Sequence, residues 1–251
     1  MIVPVEVAET LASRIEGVRV EWPTRVAVDG PDAAGKTTLA DGIASALTAR
    51  GRTVIRAAVD DFQRPRVDRY RRGAYSPEGY YRDSFDFGAL RRLLLDPLGP
   101  AGDRSYRTAV FDFVRDVEQP GSAGVAPEEA IVIVDGVFLL RPELLAAWDF
   151  TVFVSVSAEE ALRRALVRDV ALFGSIEEVE RRYRERYLPA QALYLADVRP
   201  RDRAAVVVEN NDPSRPVLRS SDSHSKVRSH TPEPACGRVP FPNAGARDNN
   251  L

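Results

Sequence analysis

Histidine, cysteine and lysine are almost absent from this chain of 251 residues. Its two histidines, His224 and His230, and its one cysteine, Cys236, all lie near the C-terminus. If that stretch lies outside the folded body, the body has no imidazole and no thiol, which excludes Ser-His-Asp triads, Cys-His nucleophiles and His/Cys zinc sites. Catalysis must then depend on carboxylates, arginines, hydroxyls, backbone amides and a hard metal ion. A single cysteine forms no internal disulfide, which is typical of a reducing, cytoplasmic compartment.

Long hydrophobic runs and a strong net charge are also missing. The chain has no apolar run of about eighteen residues, so we expect no membrane span, and its acidic N-terminus lacks the basic region of a secretory signal. The net charge of −2 argues against a nucleic-acid partner, because such proteins usually carry a basic field. With 44% hydrophobic and 29% charged residues, the composition predicts a globular cytoplasmic protein and is compatible with a homo-oligomer.

Lysine usage is the most informative feature of the composition. Only two of the 35 basic residues, Lys36 and Lys226, are lysines. A coding bias that replaces lysine by arginine wherever either residue suffices explains most of this usage. Lys36, in the body of the chain, therefore marks a place where a compact ammonium is needed and a wide guanidinium does not fit.

Five short apolar runs predict buried parallel strands. They span residues 25–28, 53–59, 131–134, 151–156 and 205–208. Helices are predicted between them around Leu39, Ile43 and Leu47 and over 87–95, 142–148, 158–172 and 176–195, the last interrupted near Pro189. Strands that alternate with helices predict a three-layer α/β fold with a mostly parallel sheet.

Three segments depart from this alternation. The segments 62–84 and 99–129 are predicted to be insertions between the regular elements. Because long insertions lie on the surface and often carry substrate contacts, both are candidate acceptor-binding segments. From about residue 213 the composition changes to Ser, Pro, Asn and Arg without periodicity. We therefore predict one domain over residues 1–213 and a disordered tail over 214–251. A translated frameshift would produce a tail of the same character.

One motif carries most of the chemical information. Residues Gly30-Pro31-Asp32-Ala33-Ala34-Gly35-Lys36-Thr37 match the P-loop pattern G-x-x-x-x-G-K-[ST] in full, between an apolar strand and an amphipathic helix. Its glycines let backbone N–H groups turn toward an anion, and the helix N-terminus adds partial positive charge. Lys36 is predicted to reach the β- and γ-phosphates, Thr37 to face Mg²⁺, and Thr38 to add a nucleotide contact. The sequence thus predicts that ATP, or another nucleoside triphosphate, binds with Mg²⁺.

Two carboxylates, Asp60 and Asp135, directly follow predicted strands. In open α/β sheets the ligand crevice lies at the carboxyl ends of the strands. Both side chains can therefore face the Mg²⁺–phosphate region, and we predict a metal site formed by Thr37, Asp60 and Asp135. The alternative interpretation is that they are solvated turn residues, since Asp-Gly is common where a strand ends.

The helix predicted over 158–172 is rich in arginine. It can act as a lid that closes positive charge over the transferring phosphoryl group and excludes water. Arg164 and Arg168 are the candidates for this catalytic role. The alternative is a solvated helix face on which the arginines pair with neighbouring acidic residues.

Taken together, the motifs resemble the uridine kinase family, within the P-loop kinases that include phosphoribulokinase and pantothenate kinase. The resemblance covers about residues 24–212 and includes Val59-Asp60-Asp61-Phe62, Asp83-Ser84-Phe85-Asp86, Phe111-Asp112-Phe113, Val134-Asp135-Gly136 and Arg186-Tyr187-Leu188-Pro189. It implies that Asp60 accepts or orients the proton of the acceptor hydroxyl. It further implies that Asp60, Thr37 and Asp135 surround Mg²⁺, and that Arg164 and Arg168 are lid arginines. Phosphoryl transfer depends on positioning and charge stabilisation, so no histidine is required.

The acceptor-binding half of that family pattern is replaced here. Tyr80-Tyr81-Arg82 stands where pyrimidine nucleoside kinases carry a ribose-holding Asp before His-Pro, and Phe111 and Asp116 stand where they place a Tyr and a His beside the base. Leu172-Phe173-Gly174 replaces basic residues that follow the lid Arg-Asp. The candidate acceptor contacts in this chain are Phe62, Tyr80, Arg82, Arg107 and Phe111.

The predicted function is transfer of the γ-phosphate of ATP to a hydroxyl of a small metabolite, and a nucleoside is the first candidate for this acceptor. Arg64, Arg66 and Arg82 favour an alternative in which the acceptor is anionic, such as a sugar phosphate, pantothenate or a glycerate-like acid. An alternative from another class is an ATP-binding regulatory switch that hydrolyses nucleotide slowly. Such a switch needs neither Asp60 at a strand end nor an acceptor pocket.

Overall fold

A six-stranded sheet forms the centre of the protein, whose computed structural model describes residues 4–220. The strands within these residues are β1 (Thr24–Asp29), β2 (Val54–Ala58), β3 (Ser105–Arg107), β4 (Phe111–Asp112), β5 (Val117–Glu118), β6 (Ala123–Val125), β7 (Ile131–Gly136), β8 (Phe150–Ser155), β9 (Val206–Glu209) and β10 (Val217–Ser220). The central sheet has the order β10-β9-β8-β1-β7-β2. Its strands are parallel except for β10, which runs antiparallel to β9 at the edge.

Helices connect the parallel strands. They are α1 (Val5–Glu16), α2 (Lys36–Ala49), α3 (Arg66–Arg69), α4 (Phe87–Leu90), α5 (Pro142–Leu145), α6 (Ala158–Arg168), α7 (Val170–Phe173), α8 (Ile176–Arg182), α9 (Leu188–Val198) and α10 (Pro200–Arg203). Wider π-helical turns occur at Gly79–Asp83, Arg91–Leu95 and Tyr183–Tyr187. No helix within residues 4–220 has the combination of length and apolar character needed to cross a membrane.

The sheet is covered on both faces, which gives the predicted three layers. On β1, the side chain of Val26 packs in one hydrophobic cluster with Leu11 of α1 and Ile43 of α2. The next residue, Ala27, belongs to the cluster on the other face, which includes Tyr194 of α9. Successive side chains of a strand point to opposite faces, so a strand covered on both sides must be apolar throughout. All five runs predicted as strands are strands of this sheet.

Three predicted boundaries differ from the structure. Strand β2 ends at Ala58, and Val59–Phe62 form a 3₁₀ turn instead of extending the strand. The helix predicted over 158–172 divides into α6 and α7 at Asp169. The helical region 176–195 is broken by the π-helical turn at Tyr183–Tyr187, and Pro189 then lies in the first turn of α9, where its missing N–H costs nothing.

The two ends of the chain also differ from the prediction. Helix α1 was not predicted, although five of its residues are buried against α2 and the sheet. The disordered tail was predicted to begin at 214, but β10 pairs with β9 and extends the sheet to Ser220. The remainder of that predicted tail, 221–251, lies outside the described residues.

The two insertions lie beside the carboxyl end of β2. Residues 62–84 include α3 and the π-helical turn Gly79–Asp83. Within 99–129, β3 pairs with β6 and β4 pairs with β5, both antiparallel. The backbone N–H of Val110 donates to the carbonyl of Asp61 at 2.9 Å, which attaches the second insertion to the turn that carries Asp60.

Candidate active site

The P-loop lies between β1 and α2 and has the backbone conformation of an anion nest. Gly35 (φ 92°) and Ala33 (φ 58°) both have positive φ values, which turn backbone N–H groups inward. A Cβ atom at Gly30 would lie 2.3 Å from the carbonyl oxygen of Val154 on β8. A side chain at position 30 therefore cannot be accommodated without moving the neighbouring strand.

The back of the P-loop is held by residues from the other end of the chain. The carbonyl of Ala34 accepts hydrogen bonds from Nδ2 of Asn210 at 2.7 Å and from Nη1 of Arg164 at 3.4 Å. Arg164 is only 5% exposed and also donates to the carbonyls of Asn210 and Asn211. Its guanidinium is thus used in supporting the loop, and the structure places it away from the catalytic lid position predicted from the sequence.

Lys36, Thr37 and Asp135 come together at the mouth of the loop. Nζ of Lys36 donates to the carbonyl of Pro31 at 2.7 Å, so the ammonium lies across the loop. The hydroxyl of Thr37 donates to Oδ2 of Asp135 at 2.6 Å. The other oxygen of Asp135 pairs with Nη2 of Arg56 at 2.8 Å. Arg56 was not singled out from the sequence, although a charged residue inside the apolar strand β2 was a signal.

A second carboxylate, Asp29, is fully buried beneath the P-loop. Burial raises its pKa to about 6, and hydrogen bonds from the Tyr194 hydroxyl and the backbone N–H groups of Leu139 and Gly30 oppose the rise. The Tyr194 hydroxyl in turn accepts from the N–H of Leu140 at 3.0 Å. Asp29 therefore ties the start of the loop to the segment that follows β7 and to α9.

Removal of the Tyr194 hydroxyl tests this arrangement. The folded-state pKa of Asp29 lies above the ordinary aspartate value of 3.8, so ionisation of this group destabilises the fold as pH rises toward 6. Tyr194→Phe removes a bond that favours the ionised form and raises the pKa further. We expect a loss of unfolding free energy of about 1–2 kcal/mol, larger at pH 8 than at pH 5, in urea titrations.

Tyr81→Phe is the matched control, because Tyr81 belongs to the same aromatic cluster. Its hydroxyl makes no hydrogen bond to another group in residues 4–220. The control should be nearly neutral at both pH values. An equal loss for Tyr194→Phe at pH 5 and pH 8 would contradict the assigned coupling.

Asp60 occupies the 3₁₀ turn at the end of β2 and lines an open cavity. Its carboxylate is in contact with solvent, yet the surrounding protein desolvates it and raises its pKa to about 6. The nearby charge of Asp32 adds to this rise, while Lys36 lowers the pKa. Nε2 of Gln63 donates to Oδ1 of Asp60 at 3.1 Å and fixes the orientation of the carboxylate.

The cavity beside Asp60 has a volume of about 500 Å³ and a strongly polar lining. Its charged and aromatic residues are Asp32, Asp60, Asp169 and Glu178; Arg66, Arg69, Arg168, Arg182 and Arg186; and Tyr70, Tyr80, Phe113, Phe173, Tyr183 and Tyr187. Such a volume accommodates a small metabolite.

The predicted acceptor contacts are only partly placed at this cavity. Tyr80 lines it, and its hydroxyl donates to Asp32 at 3.0 Å. Phe62 is completely buried in the core below the cavity. Phe111, Arg82 and Arg107 do not line it, because Phe111 packs inward, Arg82 lies over the ring of Tyr81, and Arg107 is exposed on β3. These four residues are therefore removed from the predicted set of acceptor contacts.

Helices α6 and α8 contact the P-loop directly. Ala33 packs with Ala165 of α6, Val179 of α8 and Tyr183. Arg168, at the end of α6, lines the cavity and pairs with Asp169 at 2.6 Å. Of the two arginines predicted for the lid, only Arg168 therefore has its guanidinium at the cavity.

The residues at the mouth of the loop fit a magnesium ion that is held together with a nucleotide. Within residues 4–220 there is no group of three or more His, Cys, Asp or Glu side chains that could hold a metal alone. Mg²⁺ commonly uses one or two protein oxygens together with substrate phosphates and water. The hydroxyl of Thr37 and the carboxylates of Asp135 and Asp60 supply oxygen ligands of this kind.

No protein-family model matches the chain, but solved structures resemble it over most of its length. A possible uridine kinase from Bacillus stearothermophilus has a TM-score of 0.63 at 22% identity, covering 80% of this chain and 97% of its own. A putative fructose transport system kinase from Silicibacter sp. TM1040 has a TM-score of 0.64 at 24% identity, covering 75% and 94%. For a D-glycerate 3-kinase from Cryptococcus neoformans the values are 0.51 and 15%, covering 75% and 86%. The chain thus has the P-loop kinase fold, which confirms the predicted fold class.

Proposed function

We propose that the protein is a kinase that transfers the γ-phosphate of ATP to a hydroxyl group of a small metabolite. The observation that carries this proposal is the position of Asp60. Its carboxylate lies at the carboxyl end of β2, close enough to Lys36 of the P-loop for the two charges to interact, and it faces a cavity of metabolite size. A nucleotide site and a proton acceptor thus meet at one opening.

In the proposed mechanism the P-loop amides and Lys36 hold the β- and γ-phosphates. The acceptor hydroxyl lies in the cavity and gives its proton to Asp60 as its oxygen bonds to the γ-phosphorus. The bond between that phosphorus and the β–γ bridging oxygen breaks, and its electron pair leaves with ADP. Thr37 and Asp135, together with Asp60, would hold Mg²⁺, which would supply positive charge to the phosphate oxygens. Arg168 adds charge from the lid side.

Steady-state release of ADP with and without a panel of hydroxyl-bearing acceptors tests the proposal. We expect at least one acceptor class to accelerate ADP release well above the basal rate. A low rate that stays flat across nucleosides, sugar phosphates and hydroxy acids would instead favour the regulatory switch. The nucleoside acceptor implied by the family resemblance is one arm of this panel.

Gln63 is expected to act as a positioning residue for Asp60. Gln63→Leu removes the amide that orients the carboxylate, and a hydrogen bond to a charged group contributes about 1.5–3 kcal/mol. We therefore expect kcat to fall about 10- to 100-fold, with the KM for ATP unchanged. Gln119→Leu is the control, because Gln119 is an exposed glutamine of the second insertion whose side chain makes no hydrogen bond to Asp60 among residues 4–220. Equal effects of the two substitutions would remove Gln63 from the mechanism.

A further inference from the structure

Five arginines and four carboxylates line the cavity. Three of the five form ion pairs: Arg69 with Asp116, Arg168 with Asp169, and Arg182 with Glu178. The guanidinium groups of Arg66 and Arg186 form no ion pair with a carboxylate among residues 4–220, although the backbone N–H of Arg66 donates to Oδ1 of Asp116 at 2.8 Å. The other cavity carboxylates, Asp32 and Asp60, accept hydrogen bonds from uncharged side chains. Two guanidinium groups of the cavity therefore have no ion-pair partner among residues 4–220.

Arg186 is the stronger of the two observations because it is buried. The residue is only 2% exposed, and its Nη atoms donate to the carbonyls of Ala74, Ser76 and Arg69 and to Oγ of Ser84. Burial lowers the pKa of its guanidinium. A buried charge is costly unless it is paired, so an anion in the cavity would offset part of this cost.

One of the cavity arginines, Arg69, lies one side chain away from the proposed base. Gln63 donates to Asp60 through its amide nitrogen and accepts from Nη1 of Arg69 at 3.0 Å through its amide oxygen. Arg186 in turn donates to the carbonyl of Arg69 at 3.3 Å. A molecule whose hydroxyl lies at Asp60 can therefore present a second group to the arginines within the same cavity.

The same arginines are separate from the nucleotide site. Arg66 and Arg69 belong to α3 in the first insertion, and Arg186 follows the lid. Within the described chain, none of the three donates a hydrogen bond to the P-loop, whose own cation is Lys36. The unpaired guanidinium groups of Arg66 and Arg186 therefore belong to the cavity lining and not to the P-loop.

We propose that the acceptor carries an anionic group, a phosphate or a carboxylate, in addition to the hydroxyl that is phosphorylated, that Arg66 binds this group directly, and that the buried charge of Arg186 attracts it. The inference rests on the proposed function for the role of the hydroxyl. A neutral acceptor would leave the guanidinium of Arg186 without an ion-pair partner when the cavity fills. An anionic acceptor would interact favourably with these arginines, which would increase its affinity and favour it over neutral molecules.

Anion binding with the P-loop blocked tests the inference independently of acceptor identity. Inorganic phosphate, or acetate as the carboxylate probe, is titrated into protein saturated with a non-hydrolysable ATP analogue and Mg²⁺. We expect saturable binding of one probe, weakened about 10- to 100-fold by Arg66→Gln, as for loss of one charged hydrogen bond. Arg64→Gln is the matched control, because Arg64 is exposed on the same segment but does not line the cavity. The probe that binds more tightly identifies the anionic group.

A second experiment compares pairs of candidate acceptors. The two members of a pair share the same hydroxyl-bearing scaffold, but one is neutral and the other carries a phosphate or a carboxylate. The inference predicts that the anionic member has the higher kcat/KM and that Arg66→Gln removes the difference. The inference is overturned if no probe binds, if Arg64→Gln weakens binding as much as Arg66→Gln, or if the neutral acceptors are preferred. In each of these cases acceptor-stimulated ADP release still tests the proposed kinase activity separately. If the ATP analogue fails to bind, the proposed function is wrong. Titration of phosphate or acetate into the nucleotide-free protein then still shows whether an anion site that depends on Arg66 exists.

Discussion

Lys36→Ala should abolish most phosphoryl transfer while leaving the fold intact. The ammonium lies across the P-loop, 2.7 Å from the carbonyl of Pro31, where it would contact phosphate oxygens as charge develops. Loss of one such electrostatic contact in a closed site costs about 10²–10³ in rate. The lost bond to Pro31 should change the unfolding free energy by only about 1 kcal/mol. Single-turnover kinetics and urea unfolding measure the two quantities.

Lys36→Arg distinguishes charge from shape. The guanidinium preserves the positive charge but is wider than an ammonium and is less suited to the narrow loop. We expect this variant to lose nearly as much activity as Lys36→Ala. If Lys36→Arg retained wild-type activity, the interpretation of the single lysine in the described chain would be wrong, and scarcity of lysine would reflect coding bias alone.

Asp60→Asn should lower turnover about 10²- to 10⁴-fold, the usual contribution of a positioned general base. The amide keeps the size of the side chain and can still bond to Gln63, but it cannot take the acceptor proton. Affinity for ATP should change far less than kcat, since the phosphates are held mainly by the P-loop. Calorimetric ATP binding and steady-state ADP release separate the two effects.

Asp61→Asn is the matched control for this substitution. Asp61 is the adjacent carboxylate on the same turn, but it does not line the cavity. We expect it to retain activity within about tenfold of wild type, because it is not positioned to receive the proton. Similar losses in both variants would show that the turn as a whole, and not the Asp60 carboxylate, supports transfer.

The sheet and the P-loop were predictable because their residues obey strong local rules. A strand covered on both faces is apolar along its central residues, as β1, β7 and β8 are. The P-loop motif specifies its own backbone through Gly30 and Gly35, so its position between β1 and α2 followed from the sequence. The carboxyl ends of the strands then placed Asp60 and Asp135 at the same edge.

The acceptor cavity was not predictable in the same way. Residues 62–84 and 99–129 have no hydrophobic period, so the sequence could not show which side chains face inward. Phe62 and Phe111 were predicted as contacts but are buried in the core, while Arg69 and Arg186 reach the cavity from segments more than one hundred residues apart. Only the tertiary structure brings these arginines together.

Arg164 illustrates a second limit. Its helical position suggested a lid arginine, yet the structure uses it to hold the carbonyl of Ala34 together with Asn210. Asn210 lies in the short connection between β9 and β10, and the edge strand β10 was itself predicted as disordered. Without that pairing the sequence contained no signal that the two residues meet behind the P-loop.

Equilibrium binding of ATP in the presence and absence of Mg²⁺ tests the central claim most directly. The arrangement of Lys36, Thr37 and Asp135 predicts one saturable site whose affinity increases with Mg²⁺ and falls sharply in Lys36→Ala. The same titration with GTP covers the other common nucleoside triphosphate. A protein that binds neither nucleotide, or binds them without regard to Mg²⁺ and Lys36, would contradict the account.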